Sequence, residues 1–265
     1  MEPMGIVLAA AVIGCTGLLI GLLLGIAGKK FAVEVDEKEA GVREELPGNN
    51  CGGCGFAGCD ALAKAIAKGE APVNACPVGG AAVAEKIGAI MGVSADAGEK
   101  KVAFVKCSGT CDKTERKANY FGIEDCRKAA VIPGKNDKKC SYGCMGLGSC
   151  VKSCDFDAVH IVDGVAVVDK DKCVACGKCI KACPNGLIEF VPYSAKTVVV
   201  CSSKDKGPAV KASCDVGCIG CGICAKQCEF GAVSVEGNLA YIDQSKCTGC
   251  GKCAQKCPQK VIKVM

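Results

Sequence analysis

Apolar and polar positions follow three regimes along this chain. From Gly5 to Gly28 no charged residue occurs, and Lys29-Lys30 closes the run. As a helix that run would extend about 36 Å, more than a hydrocarbon core of about 30 Å. The lysine pair on its C-terminal side, with only Glu2 before it, predicts a single-pass transmembrane anchor over residues 1–28, with the bulk of the chain on the cytoplasmic side of the cell membrane. A secretory signal would need a positive leader and a shorter apolar region. A lipoprotein signal around Val12-Ile13-Gly14-Cys15 lacks the same leader, and the apolar run continues past Cys15. Gly14, Gly17, Gly21 and Gly25 form a smooth stripe for another helix.

The second regime is charged, then helical. Phe31 to Asn50 is rich in charge, ends in Pro47-Gly48-Asn49-Asn50 and reads as a linker. Ala61–Lys68 has a helical pattern that Asp60 can cap and Gly69 can end. Ala81–Met91 reads as a short amphipathic helix. The third regime consists of short apolar runs broken by turns. Ala158-Val159-His160-Ile161, Asp163-Gly164 and Val165–Val168 predict a hairpin. Ala232–Val235, Gly237-Asn238 and Leu239–Ile242 predict another. The runs from Lys101 and from Lys196 read as strands ending near Cys107 and Cys201.

Composition changes the picture of what holds these short elements together. The chain has 265 residues with 26 Cys and 35 Gly, but seven Phe, four Tyr and no Trp. So few aromatics cannot fill a large conventional core, and small modules folded around metal fit better. Cysteines three apart in a tight loop converge on a point, which argues against a secreted disulfide scaffold. The formal charge of +5 counts every thiol as neutral. Twenty thiolates around five iron–sulfur cubes of about +2 each would bring it to about −5. A nucleic-acid partner therefore does not follow from the basic balance. Lys172, Lys178, Lys181, Lys246 and Lys252 offset cluster charge, face an acidic partner or simply lie on a solvated surface.

The cysteines carry the chemistry. Cys144, Cys150, Cys154, Cys173, Cys176, Cys179 and Cys183 recur 74 residues later as Cys218, Cys224, Cys228, Cys247, Cys250, Cys253 and Cys257. In the second copy Cys218, Cys221, Cys224 and the distant Cys257 surround one [4Fe-4S] cube, while Cys247, Cys250, Cys253 and Cys228 surround another. In the first copy Leu147 stands where Cys221 stands in the second, so one ligand is missing. Cys140 can replace it, giving Cys140, Cys144, Cys150 and Cys183 for one cube and Cys154, Cys173, Cys176 and Cys179 for the other. Asp155 and Glu229 follow Cys154 and Cys228, and their charge should favour the oxidised cube.

A further set, Cys51, Cys54, Cys59 and Cys76, precedes the copies. Four Cys can also hold zinc, but this uneven spacing resembles a small four-cysteine iron–sulfur domain more than a zinc ribbon. Five [4Fe-4S] clusters are thus expected. Cys107, Cys111, Cys126, Cys201 and Cys214 keep no assigned role; a further metal and buried, loosely constrained thiols are both open.

The order predicts an α+β chain: a transmembrane helix (1–28), a linker (29–50), a four-Cys domain (51–93), an intervening segment (94–135) and two tandem two-cluster ferredoxin-like modules (136–195 and 196–265). In its anchor, in Cys51-x2-Cys54-x4-Cys59-x16-Cys76 and in the stretch Cys140 to Cys150, it resembles the B subunits of the Rnf family of ion-translocating ferredoxin:NAD oxidoreductases. The resemblance implies a non-catalytic electron carrier in a translocase. It implies soluble ferredoxin as donor, membrane lipid around the anchor, and membrane and flavoprotein subunits as partners. Coupling to Na⁺ or H⁺ would lie on those partners. No Gly-x-Gly-x-x-Gly opens a helix after a strand, so hydride chemistry belongs elsewhere. His160, the one histidine, reads as structural. The competing readings are a wiring subunit of a hydrogenase or formate dehydrogenase, and a metal-dependent sensor or scaffold. A sensor would need an output segment, and none is evident.

Overall fold

The structure is a computed structural model. It describes the backbone of residues 3–30, 36–95, 98–132 and 137–265, with side chains of the first helix from Val12 to Gly28 and at Lys30. Helix α1 runs from Pro3 to Lys30. Its described apolar side chains, Leu18, Leu19, Leu22, Leu23 and Leu24 among them, are exposed. Among the described residues no helix is long and apolar enough to cross a membrane.

Helix α2 spans Glu37–Glu45, with Asp36 accepting from the N–H of Lys38 as its N-cap. It corrects the linker expectation for residues 36–46; residues 31–35 lie outside the described ones. The charged face hid two inward positions, Val42 and Leu46, which are buried against α3 (Cys59–Ala67) and α4 (Gly80–Met91). Ion pairs then tie the charged face down, Arg43 to Asp60 on α3 and Glu45 to Lys86 on α4 at 2.8 Å. Asp60 is therefore a salt-bridge partner rather than a cap. The N-cap of α3 is Gly58, and the first helical N–H, that of Cys59, donates to Asn50 Oδ1 at 2.8 Å. That bond closes the loop carrying Cys51 and Cys54. Leu62, Ile66 and Ile87 complete this core.

The remainder has a second core that runs through both copies without interruption. Among the described residues, four two-stranded antiparallel sheets frame it. Strand β1 (Lys101–Val105) pairs with β4 (Ile188–Pro192), and β2 (Val159–Val162) with β3 (Val165–Val168). Strand β5 (Thr197–Val199) pairs with β8 (Ile262–Val264), and β6 (Val233–Glu236) with β7 (Leu239–Ile242). The two hairpins thus form where the alternation placed them.

Strand β1 lies in the segment expected to intervene between domains, yet it completes the first copy's sheet as β5 completes the second's. Short helices follow the cysteine loops: α6 (Ser149–Lys152) and α7 (Lys178–Ala182) in the first copy, α9 (Ile223–Lys226) and α10 (Lys252–Gln255) in the second. Helix α5 (Cys126–Ala130) precedes the first copy and α8 (Gly207–Lys211) the second. The loop after β1 crosses between copies, where Thr114 bridges Cys214 and the N–H of Asp215 donates to the carbonyl of Lys113 at 2.9 Å.

Candidate iron–sulfur centres

In the second copy the loops before α9 and after α10 face each other. Cys218, Cys221, Cys224 and Cys257 line one cavity of about 330 Å³. Cys228, Cys247, Cys250 and Cys253 line another of about 310 Å³. In the first copy Cys154, Cys173, Cys176 and Cys179 stand close enough for their charges to interact.

The other set of the first copy has a wall that the sequence did not single out. Cys144, Cys150 and Cys183 line a cavity of about 350 Å³, and the fourth thiol on its wall is Cys126. Cys140 lines a different cavity. Cys126 begins α5, whose N-cap is Asp125, and its N–H donates to Ser149 Oγ at 2.6 Å. Leu147, at the position of the missing ligand, packs with Cys126, Ala129 and Met145. The ligand count alone, one short here with thiols spare upstream, could have pointed to Cys126. Proximity in sequence favours Cys140, and the fold does not respect that proximity.

In the four-Cys domain, Cys54 and Cys59 each lie close enough to Cys76 for their charges to interact. The loop bearing Cys51 lies against the first copy: a Cβ on Gly53 would come within 2.9 Å of the carbonyl oxygen of Cys176. The Cys51 and Cys176 thiols are near enough to interact electrostatically.

Backbone donors converge on the sulfurs. The N–H groups of Gly79, Ala103, Ala158, Ala166 and Leu187 donate to Cys76, Cys173, Cys154, Cys144 and Cys183, each at 3.4 Å. Such bonds stabilise negative charge on sulfur and tune a cluster. Burial pushes the Cys150 thiol up to about 12 and those of Cys179 and Cys224 up to about 11. Ligation must therefore displace protons. Asp155 and Glu229 are each paired, with Lys178 and with Lys252. Lys172 pairs with Asp157 at 2.9 Å and Lys246 lies 3.7 Å from Asp243. These lysines answer the chain's own carboxylates. His160 is half exposed and lies 3.9 Å from Asp157, with no nucleophile involved.

The donor set fits iron–sulfur cubes. The sulfurs line volumes of about 330, 350 and 310 Å³ rather than converging on a point.

Comparison with known proteins follows the same divisions. A family model for a putative Fe-S cluster matches residues 46–78, a 4Fe-4S binding domain matches 166–189, and a 4Fe-4S dicluster domain matches 217–261. The chain is 47% identical over 255 residues to the B subunit of the ion-translocating oxidoreductase complex of Methanosarcina acetivorans, covering 96% of both chains. It is 46% identical over 242 residues to the B subunit of the Na(+)-translocating ferredoxin:NAD(+) oxidoreductase complex of Acetobacterium woodii, covering 91% of this chain and 72% of the relative. The chain belongs to the family of B subunits of Rnf-type ion-translocating oxidoreductase complexes. Another member, from Clostridium ljungdahlii, is the B subunit of a proton-translocating ferredoxin:NAD(+) oxidoreductase complex, 44% identical over 242 residues, covering 91% of this chain and 85% of that one. Relatives within this family thus carry names with different coupling ions.

Proposed function

We propose that the chain relays single electrons from reduced ferredoxin toward the flavoprotein and membrane subunits of a complex that couples ferredoxin:NAD oxidoreduction to Na⁺ or H⁺ translocation. The observation that carries this reading is the contiguity of its thiol sets. The four-Cys loop touches the first copy at Cys176, and one continuous core joins the first copy to the second. A cube supplies reversible one-electron carriage when bound. This chain's residues hold, space and shield such groups.

In this reading Cys51, Cys54, Cys59 and Cys76 hold one cube. Cys154, Cys173, Cys176 and Cys179 hold the next, and Cys126, Cys144, Cys150 and Cys183 a third. Cys218, Cys221, Cys224 and Cys257 hold a fourth, and Cys228, Cys247, Cys250 and Cys253 a fifth. The N–H donors temper the thiolate charge, and the buried walls exclude water. In this reading the uncharged run Gly5–Gly28, whose side chains are described only from Val12 onward, serves as the single-pass anchor with the bulk of the chain on the cytoplasmic side. The uncharged run Gly5–Gly28 and the Lys29-Lys30 flank support that placement.

The experiment is anaerobic. Purified full-length chain should carry iron and acid-labile sulfide in equal amounts, and reduced ferredoxin should bleach its visible absorbance. A colourless, iron-free preparation that ferredoxin cannot reduce would sink the reading.

A further inference from the structure

Four thiols outside the five sets line one more cavity. Cys107, Cys140, Cys201 and Cys214 surround a volume of about 410 Å³ between the two copies. The three cysteine-lined cavities already described measure about 330, 350 and 310 Å³. Cys201 and Cys214 are buried, and all four sulfurs are free of disulfides. A Cβ placed on Gly109 would lie 3.4 Å from Cys214 Sγ and 3.8 Å from Cys107 Sγ, so these two sulfurs flank one point. Cys140 interacts electrostatically with Cys107, Cys214 and Cys201.

The arrangement has the symmetry of the repeat. Cys140 and Cys214 are equivalent under the 74-residue offset. The N–H of Cys144 donates to Cys107 Sγ at 3.4 Å, and the equivalent N–H of Cys218 donates to Cys201 Sγ at 3.3 Å. Cys107 follows β1 and Cys201 follows β5, the two strands that close the sheets of their respective copies. Each copy thus contributes two thiols in matching surroundings. The N–H of Ser203 also donates to Cys201 at 3.4 Å, and Thr114 Oγ1 donates to Cys214 at 3.8 Å. Donors aimed at sulfur suit thiolate ligands better than buried hydrophobic thiols.

A buried cation gives an independent pointer. Lys138 is 2% exposed, and its Nζ donates to the carbonyls of Gly109 and Gly164, each at 2.8 Å. No ion pair joins it to a carboxylate among the described residues. A buried ammonium demands negative charge nearby. Gly109 abuts Cys107 and Cys214, and Lys138 also lies near enough to Cys144 for their charges to interact, so thiolates of this set and of the neighbouring Cys144 set would together supply that charge.

We infer that Cys107, Cys140, Cys201 and Cys214 hold a sixth [4Fe-4S] cube on the quasi-twofold axis between the ferredoxin-like modules. It rests on the iron–sulfur reading of the chain. Its ligand shell touches Cys144 on one side and Cys218 on the other, so it bridges the innermost cubes of the two modules. Each transfer there oxidises one cube by one electron and reduces its neighbour by one, with no bond formed or broken.

The test is iron and sulfide content of anaerobically purified full-length protein, with Mössbauer and electron paramagnetic resonance spectra. The native chain should hold about 24 iron atoms rather than about 20. Cys201→Ala and Cys214→Ala should each lose about four, with the spectra of the other cubes retained. Cys111→Ala, at an exposed thiol beside Arg116, should lose none. A native content of about 20 that Cys214→Ala leaves unchanged overturns the sixth cube while sparing the rest. Loss of one zinc instead of iron overturns it equally. An iron-free native chain overturns the parent reading. Should the single variants fail to fold, the native count and its cube-to-cube spin coupling still decide.

Discussion

Single residues decide which cavity receives which cube. Cys126→Ala is expected to remove about four iron atoms from the first module, and Leu147→Ala none, by iron assay and resonance spectroscopy. Gly146 has a φ of +73°, and a Cβ there would lie 2.7 Å from the carbonyl oxygen of Gly164. Gly220 repeats this against Asn238. Gly146→Ala should therefore cost about 1–3 kcal/mol and loosen the Cys144 loop, seen as a lower thermal midpoint of the holoprotein. Lys178→Met leaves Asp155 uncompensated. The midpoint potential of the Cys176 cube should then fall by roughly 10–40 mV in a redox titration. The sequence displayed Asp155, Glu229, Lys178 and Lys252 but not their pairing, because a pair 23 residues apart exists only after folding.

At the scale of elements, local signals and distant ones parted company. The hairpins β2–β3 and β6–β7 were legible because each needs only alternation and a turn. Helix α2 was not, because two buried positions on a short charged helix leave little periodic signal. Leu46→Ala should test its place in the four-Cys core, costing about 2–4 kcal/mol in the unfolding of that domain followed by circular dichroism. The pairing of β1 with β4 was likewise invisible, since its partners lie far apart in the chain. The same blindness hid Cys126, and it hid the cavity that Cys107 shares with Cys201. Ligand spacing reads sets formed within one loop plus one return, and it fails where each thiol arrives on its own segment.

Over the whole molecule, metal and protons compete for the same sulfurs. Burial holds Cys150 near 12 and Cys201 near 11, above the ordinary thiol value of 9.0, so the metal-free thiols keep their protons at neutral pH. Raising the pH toward 9 weakens that competition, and acidification strengthens it. Anaerobic reconstitution should therefore incorporate more iron as pH rises, and holoprotein should bleach as pH falls, both followed by visible absorbance. The cavity shared by the two copies has one more consequence. A lone copy brings only a pair of donors to it, half a valence shell, and could complete that shell only by meeting a twin face to face. Tandem fusion makes the encounter permanent, so severing the halves would turn a built-in junction into a concentration-dependent dimer.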